Sequence, residues 1–279
     1  MKPPGTLSVV ATPLGDARDL SPRAAEALRA ADLVVAEDTR SARRLLAEVG
    51  AERKPVISCF DANEAARAAE VGARLADGAN VALVSEAGTP LVSDPGYRVV
   101  AAAISAGARV VPVPGPSAVL AALVGAGLPT DRFLFLGFPP RKPGGRRRLF
   151  ESVRALPFTL VLYESPLRTG ATLADLAEVL GPTRAACVAR ELTKPHEEFV
   201  RGDLAALAAR YAEDRPLGEV TLVVAGTEDG AREELDDDEL RARAAELSAA
   251  GLSTGDIARQ LAELTGRPRR DIYNLISRG

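Results

Sequence analysis

The chain has no tryptophan, one methionine, one histidine and two cysteines in 279 residues. Each scarcity argues against a chemistry. His196 has no second histidine and no cysteine pair nearby, which disfavours a histidine-based metal site or a Ser-His-Asp triad. Beside Glu197 and Glu198 it reads as a solvent-facing residue. Cys59 and Cys187 lie far apart, in or beside apolar strand patterns and without metal spacing. They read as small core residues in a reducing, cytosolic setting. Nowhere do roughly 18 apolar residues run uninterrupted, and the first residues carry no apolar signal core. A cytoplasmic protein is expected. No Gly-x-Gly-x-x-Gly follows the first strand, and there is no Walker loop and no Gly-x-Ser-x-Gly elbow. Net charge is only −3, so any nucleic-acid surface must be a local patch.

What is present is an alternation of strands and helices. Strands are expected at 7–11, 33–36, 56–58, 81–84 and 109–113, each separated by a helical pattern. Ser21-Pro22 reads as an N-cap followed by proline at the first helical position. This half predicts a largely parallel sheet with right-handed crossovers. The chain turns at Pro114-Gly115-Pro116-Ser117, where a hinge is placed. Five further strands follow, at 133–138, 158–163, 185–189, 198–201 and 220–225, with helices at 147–155 and from Pro166 to Gly181. The short gap between Ala189 and Glu198 suggests an antiparallel pair, hence a mixed sheet. The class is α/β: two α/β domains, 1–118 and 119–226, then an acidic linker at 227–238 and a helical tail at 239–279. From Ser253 onward the tail has five Arg against three acids, a net of +2. It reads either as a helix-turn-helix or as a capping or dimer-forming bundle.

The chemistry is expected at the carboxyl ends of strands, where open α/β folds bind ligands. Polar and Gly/Pro loops fall there at 12–16, 37–40, 85–96, 114–117 and 163–168. The 85–96 loop spans roughly ten residues, against about 2–6 for an ordinary connection. Arg141-Lys142-Pro143-Gly144-Gly145-Arg146-Arg147-Arg148 has five cations in eight residues and reads as a mobile, phosphate-contacting loop.

Several stretches together carry a resemblance. They are Val9-Val10-Ala11-Thr12-Pro13-Leu14-Gly15-Asp16, Ala36-Glu37-Asp38-Thr39-Arg40, the 81–96 loop into Tyr97, Val113-Pro114-Gly115-Pro116-Ser117-Ala118, Phe135-Leu136-Gly137-Phe138-Pro139-Pro140, Tyr163-Glu164-Ser165-Pro166-Leu167-Arg168, Ala189-Arg190-Glu191-Leu192-Thr193-Lys194 and Gly218-Glu219-Val220-Thr221. The chain resembles the tetrapyrrole-methylase superfamily and, within it, the subfamily that methylates small-subunit ribosomal RNA. The resemblance implies S-adenosylmethionine as methyl donor, folded into a cleft between two α/β domains. It implies transfer to the 2′-oxygen of a cytidine ribose in the decoding region of 16S rRNA, on the small ribosomal subunit, by a homodimer. It places the donor against Pro13, Gly15, Ser85, Glu86, Ala87, Gly88 and Thr89, and against Asp94, Pro95, Ser117, Tyr163 and Glu219. One departure stands out: Cys59-Phe60-Asp61-Ala62 occupies the place where the family often carries Tyr-His-Glu-His. Candidates for a base beside the ribose hydroxyl are Glu37, Asp38, Glu86 and Glu191. Cations expected to meet RNA are Arg40, Arg168, Arg269 and Arg270, with Arg141, Lys142, Arg146, Arg147 and Arg148 of the basic loop. Two other functions compete. One is a same-fold methyltransferase for a tetrapyrrole or small molecule. The other is a non-enzymatic regulator that binds RNA or DNA.

Overall fold

Val81–Val84 is four buried residues in a row, and alternate side chains enter two different cores. That is the behaviour of an interior strand of a parallel sheet with both faces covered. A computed structural model of the chain describes residues 3–213, 216–227 and 235–277. In it β1 (Thr6–Val10), β2 (Leu33–Ala36), β3 (Val56–Ser58), β4 (Val81–Val84) and β5 (Arg109–Val113) form one sheet. Its order is β3-β2-β4-β1-β5 and all its pairs are parallel. Helices α1 (Pro22–Ala30) and α2 (Thr39–Glu48) cover one face, through Leu28 and Leu46 against Val34, Ala82 and Val84. Helices α3 (Glu64–Ala76) and α4 (Tyr97–Ser105) cover the other, through Val71, Leu75 and Val99 against Val35, Val81 and Leu83. The strand order reverses between β1 and β4. Their carboxyl-end loops therefore adjoin at the switch point, the crevice where such sheets take ligands.

Helix α5 (Ala118–Ala126) follows the turn at Pro114–Ser117 and packs on a second sheet. That sheet is built from β6 (Phe133–Phe135), β7 (Thr159–Glu164), β8 (Ala185–Arg190), β9 (Glu198–Asp203) and β10 (Val220–Val224). Its order is β6-β7-β10-β8-β9, with β6-β7 parallel and the other pairs antiparallel, so it is mixed as expected. Helices α6 (Pro143–Val153), α7 (Thr169–Leu180) and α8 (Leu204–Glu213) cover the face opposite α5. Leu14 and Val92, from loops of the first sheet, pack into the α5 face of the second, which joins the two halves apolar to apolar.

Three local readings need correction. Strand β6 ends at Phe135, not Phe138, because Gly137 turns the chain at φ +63. The basic stretch is no mobile loop. Pro143 occupies the start of α6, and Gly144 and Gly145 sit in its first turn, where backbone N–H groups need no intrahelical partner. Helix α8 has no counterpart in the sequence reading.

Of the expected linker, residues 228–234 lie outside the described residues. Its acidic end is a helix start. Asp236 caps α9 (Asp237–Ala249), accepting from the N–H groups of Asp238 and Glu239 at 2.9 Å each. Glu239 accepts from the Asp236 N–H at 2.9 Å, completing a capping box. Helices α10 (Thr254–Thr265, capped by Ser253) and α11 (Arg269–Ser277) close a small core around Leu240, Ile257, Leu261 and Ile272. Arg267 pairs with Asp237 at 2.7 Å and ties the α10–α11 turn to α9.

Candidate active site

The loops after β1 and β4 are locked together before any ligand enters. The Thr12 N–H donates to the Gly88 carbonyl at 2.8 Å, and the Gly88 N–H donates to the Thr12 carbonyl at 3.0 Å. Thr89 donates its hydroxyl to the Pro116 carbonyl at 3.0 Å, adding the loop after β5. Glu64, at the start of α3, accepts from the N–H groups of Gly96 and Arg98 at 2.8 and 3.0 Å, which fixes the loop's exit into α4. Among the described residues four non-glycine residues have positive φ, and all lie in two loops: Leu91 and Ser93, then Glu191 and Thr193. Strained backbone held by its surroundings is a mark of functional loops. The second pair reaches across to the first sheet: the Asp16 N–H donates to the Thr193 hydroxyl at 3.1 Å.

Between these loops and the second sheet lies a cleft of about 400 Å³. Glu37, Glu86, Gly88, Thr89 and Asp94 line it from the first sheet's loops. Tyr163, Glu164, Glu219 and Thr221 line it from the second. Its electrostatics are acidic. Burial pushes the Asp94 carboxyl up to about 6, with the Glu37 and Glu86 charges adding to it and the Ser85 hydroxyl opposing. Glu37 is open to solvent on one side yet also raised, first by desolvation and then by Glu86, Asp61 and Asp38. The Tyr163 phenol is pushed up to about 12 by burial and Asp94, so it is a neutral donor. Phe135 and Phe138 pack on its ring at 5.0 and 5.4 Å.

This set fits a sulfonium-bearing donor. Carboxylates that repel one another gain from a bound cation, and Asp61 adds its charge beside Glu37. Gly88 supplies the cradle: its φ is +80, and a Cβ there would stand 3.1 Å from Leu14 Cδ2. A pH prediction follows. Below about pH 6 Asp94 holds a proton that a cation must displace, so donor affinity should fall by up to about tenfold per pH unit there and be flat above. The sign for stability is opposite. A carboxyl raised by folding stabilises the free protein at low pH, and that contribution is lost as pH rises through about 6. Calorimetric titration of wild type and Asp94→Asn from pH 5 to 8 checks it; the variant should show no such slope.

The structure sorts the other expected residues. Ala87, Gly88, Thr89, Asp94, Tyr163 and Glu219 line the cleft with Glu86. Pro13, Gly15 and Ser85 line a neighbouring space that shares a wall with it, and Ser117 lies in a shallow pocket beside Pro116. Pro95 lines none of these three spaces. Asp38 caps α2 and pairs with Arg40 at 3.1 Å, which holds its carboxyl low. Glu191 pairs with Lys194 at 2.9 Å and accepts from the Glu219 N–H, and it too is held low, by the Lys194 hydrogen bond first. Neither is placed as a base, whereas Glu37 and Glu86 both line the cleft. Lys194, which bridges Glu191 and Glu219, is not among the expected site residues, although it ends one of the stretches that carry the resemblance.

The basic cluster divides. Arg146 is buried in α6 and pairs with Asp175 of α7, so it is not a phosphate contact. Arg147 pairs with Asp175 at 2.8 Å and Glu178 at 2.9 Å. Arg141, Lys142 and Arg148 are exposed. Arg168 is half-buried, pairing with Glu164 at 3.0 Å and donating to the Pro139 carbonyl at 2.7 Å, a structural role. Arg40, Arg269 and Arg270 are exposed. Among the described residues no three potential ligands gather into a metal site.

The model of the tetrapyrrole (corrin/porphyrin) methylases matches residues 6–208. The ribosomal RNA small subunit methyltransferase I of a Synechocystis species is 46% identical, over 97% of this chain and 97% of its own. That of Mycobacterium tuberculosis is also 46% identical, over 98% of this chain and 94% of its own. Among solved structures, Thermus thermophilus uroporphyrin-III C-methyltransferase complexed with S-adenosyl homocysteine superposes with a TM-score of 0.56 at 21% identity, over 80% of this chain and 98% of its own. With the fold, the switch-point cleft and near full-length similarity in agreement, the chain belongs to the tetrapyrrole methylase family, alongside its ribosomal RNA small subunit methyltransferase I members.

Proposed function

We propose that the chain transfers a methyl group from S-adenosylmethionine to the 2′-oxygen of a cytidine ribose in the decoding region of 16S ribosomal RNA. The observation that carries this reading is an acidic cleft, held rigid by crossed loops, in a chain whose nearly full-length relatives are named for small-subunit rRNA methylation. The donor supplies an electrophilic methyl on a cationic sulfur. The protein's part is to bind, align and deprotonate. Asp94 and Glu37 attract the cation, and Tyr163 with Phe138 closes the cleft's far wall. Alignment of the hydroxyl with the methyl contributes much of the rate. A carboxylate near the hydroxyl adds about 10²–10⁴-fold, and of the expected candidates Glu37 and Glu86 line the cleft.

The units are 1–118 and 119–226, with the tail after them, and the protein works as a cytoplasmic homodimer on the small subunit. Tyr97 and Ile104 on α4, and Leu120 and Val124 on α5, are exposed apolar residues of the kind a second copy covers. No helix among the described residues is long and apolar enough to cross a membrane. RNA meets the exposed cations. Replacing Arg141, Lys142 and Arg148 together with Ala should lower the salt slope of subunit binding by up to about three units, and leave donor affinity unchanged. Filter binding across a salt series checks it.

The function is tested by methyl transfer from radiolabelled donor to purified small subunits, with uroporphyrinogen as the competing acceptor. Label in 16S rRNA alone is expected. Label in the tetrapyrrole alone would move the chain to the small-molecule branch of its family, and label in neither would favour a regulator.

A further inference from the structure

Beside the donor cleft lies a second cavity of about 340 Å³. The 12–17 stretch after β1, one face of α2 and residues 85–87 wall it. Leu14, Glu86, Ala87 and Glu219 line both spaces, so the two meet along a common wall. Both carry carboxylates, Glu48, Glu86 and Glu219 in the second, and they differ in their cations. No lysine or arginine lines the donor cleft, whereas Arg44 and Lys194 line the second cavity. Lys194 is compensated by Glu191 and Glu219. Arg44 donates to the Ser41 hydroxyl at 3.1 Å, and among the described residues no carboxylate pairs with it. Arg40 and Arg43 stand exposed on the same helix. A cationic donor is favoured in the acidic cleft, and an anionic acceptor beside the uncompensated cation.

We infer that this second cavity receives one ribonucleotide of the acceptor, splayed out of its strand, with Arg44 on its phosphate and Glu48 on its base edge. The inference rests on the methyltransferase reading above. A ribose hydroxyl can be methylated only where it touches the donor compartment, so the ribose belongs at the common wall beside Glu86. Glu37 lines the donor cleft only and Glu219, on the common wall, is paired with Lys194 at 3.2 Å, which leaves Glu86 as the carboxylate next to the reacting hydroxyl. From there the base extends along α2, flanked by the apolar Pro13 and Leu45, toward Glu48. No aromatic residue lines the cavity, so apolar packing replaces stacking. A carboxylate accepts from the exocyclic amine of cytosine and is repelled by the carbonyl oxygen that uracil places there. The volume suits one nucleotide rather than a duplex, so the target enters from a single-stranded or loop segment.

The test uses the full-length protein, purified small subunits and labelled donor. Ala17→Trp fills the cavity, Arg44→Glu reverses its charge and Glu48→Gln alters its far end; all three positions are exposed, which favours a retained fold. Donor affinity by calorimetry should stay within about twofold of wild type, which verifies both fold and donor cleft. Subunit kcat/KM should fall about tenfold or more in each variant. Glu48→Gln should also narrow, by about tenfold, the preference for subunits with cytidine over uridine at the methylated position. Full subunit kcat/KM in Ala17→Trp or Arg44→Glu, with donor affinity intact, would overturn the inference and leave the methyltransferase reading standing. A wild-type protein that binds donor yet methylates no subunit would overturn that reading itself.

Discussion

Replacing Gly88 with valine should weaken donor binding by about a hundredfold in a protein that stays folded. Two independent effects add. The position has φ +80, where a β-branched residue is a genuine outlier. A Cβ there would also stand 3.1 Å from Leu14 Cδ2, and the two methyl groups beyond it need still more room. Leu14 lines the cleft and packs toward α5, so it yields only by disturbing the joint between the halves. The hydrogen bonds that cross Thr12 and Gly88 are the first casualty, and with them the alignment of Thr89 and Asp94. Calorimetric titration with S-adenosylmethionine reads the loss, and circular dichroism confirms the fold. Unchanged affinity in folded Gly88→Val protein would remove the loop from the donor site.

Arg146→Ala should be the most destabilising single change in the basic stretch, and Arg148→Ala close to neutral. The Arg146 side chain is 5% exposed and that of its partner Asp175 is 6% exposed. Breaking a buried pair on one side leaves an uncompensated charge, which typically costs about 3–5 kcal/mol. The lower end applies here, because Arg147 still donates to Asp175 at 2.8 Å. Thermal unfolding should shift down by roughly 6–12 °C for a loss of about 3 kcal/mol in a chain of this size class. Arg148 is exposed and should leave the melting temperature within about a degree. Equal melting temperatures for the two variants would contradict the buried pairing.

The same arginine shows where sequence reading ends. A run of cations looks solvated or RNA-binding when only near neighbours are visible. Its true partner, Asp175, is 29 residues further on, one helix away, and no local pattern announces it. The acidic run at Asp236–Asp238 misled in the same way, since its spacing to Glu239 held a capping box that outweighed the look of a linker. Helix α8 was missed although Gly202 and Asp203, at the end of β9, stand immediately before it. The signal was present in Asp203, whose side chain accepts from the Ala206 N–H at 2.7 Å. The parallel sheet was legible for the opposite reason. Four consecutive apolar residues at Val81–Val84 can be satisfied only between two covered faces, and the long loop after them can go only to the crevice. Loop chemistry placed Gly88, Thr89 and Asp94 at the cleft. Pro13, Gly15 and Ser85, which the resemblance sets against the donor, line the adjoining space; strand ends show which edge a residue occupies and not which side of a shared wall.

The central claim is tested most directly by mapping 2′-O-methylation along 16S rRNA from cells lacking this protein. The account predicts loss of the methyl at one cytidine of the decoding region, restored by the wild-type chain and not by Gly88→Val. Full methylation of that region in the deleted strain would contradict it.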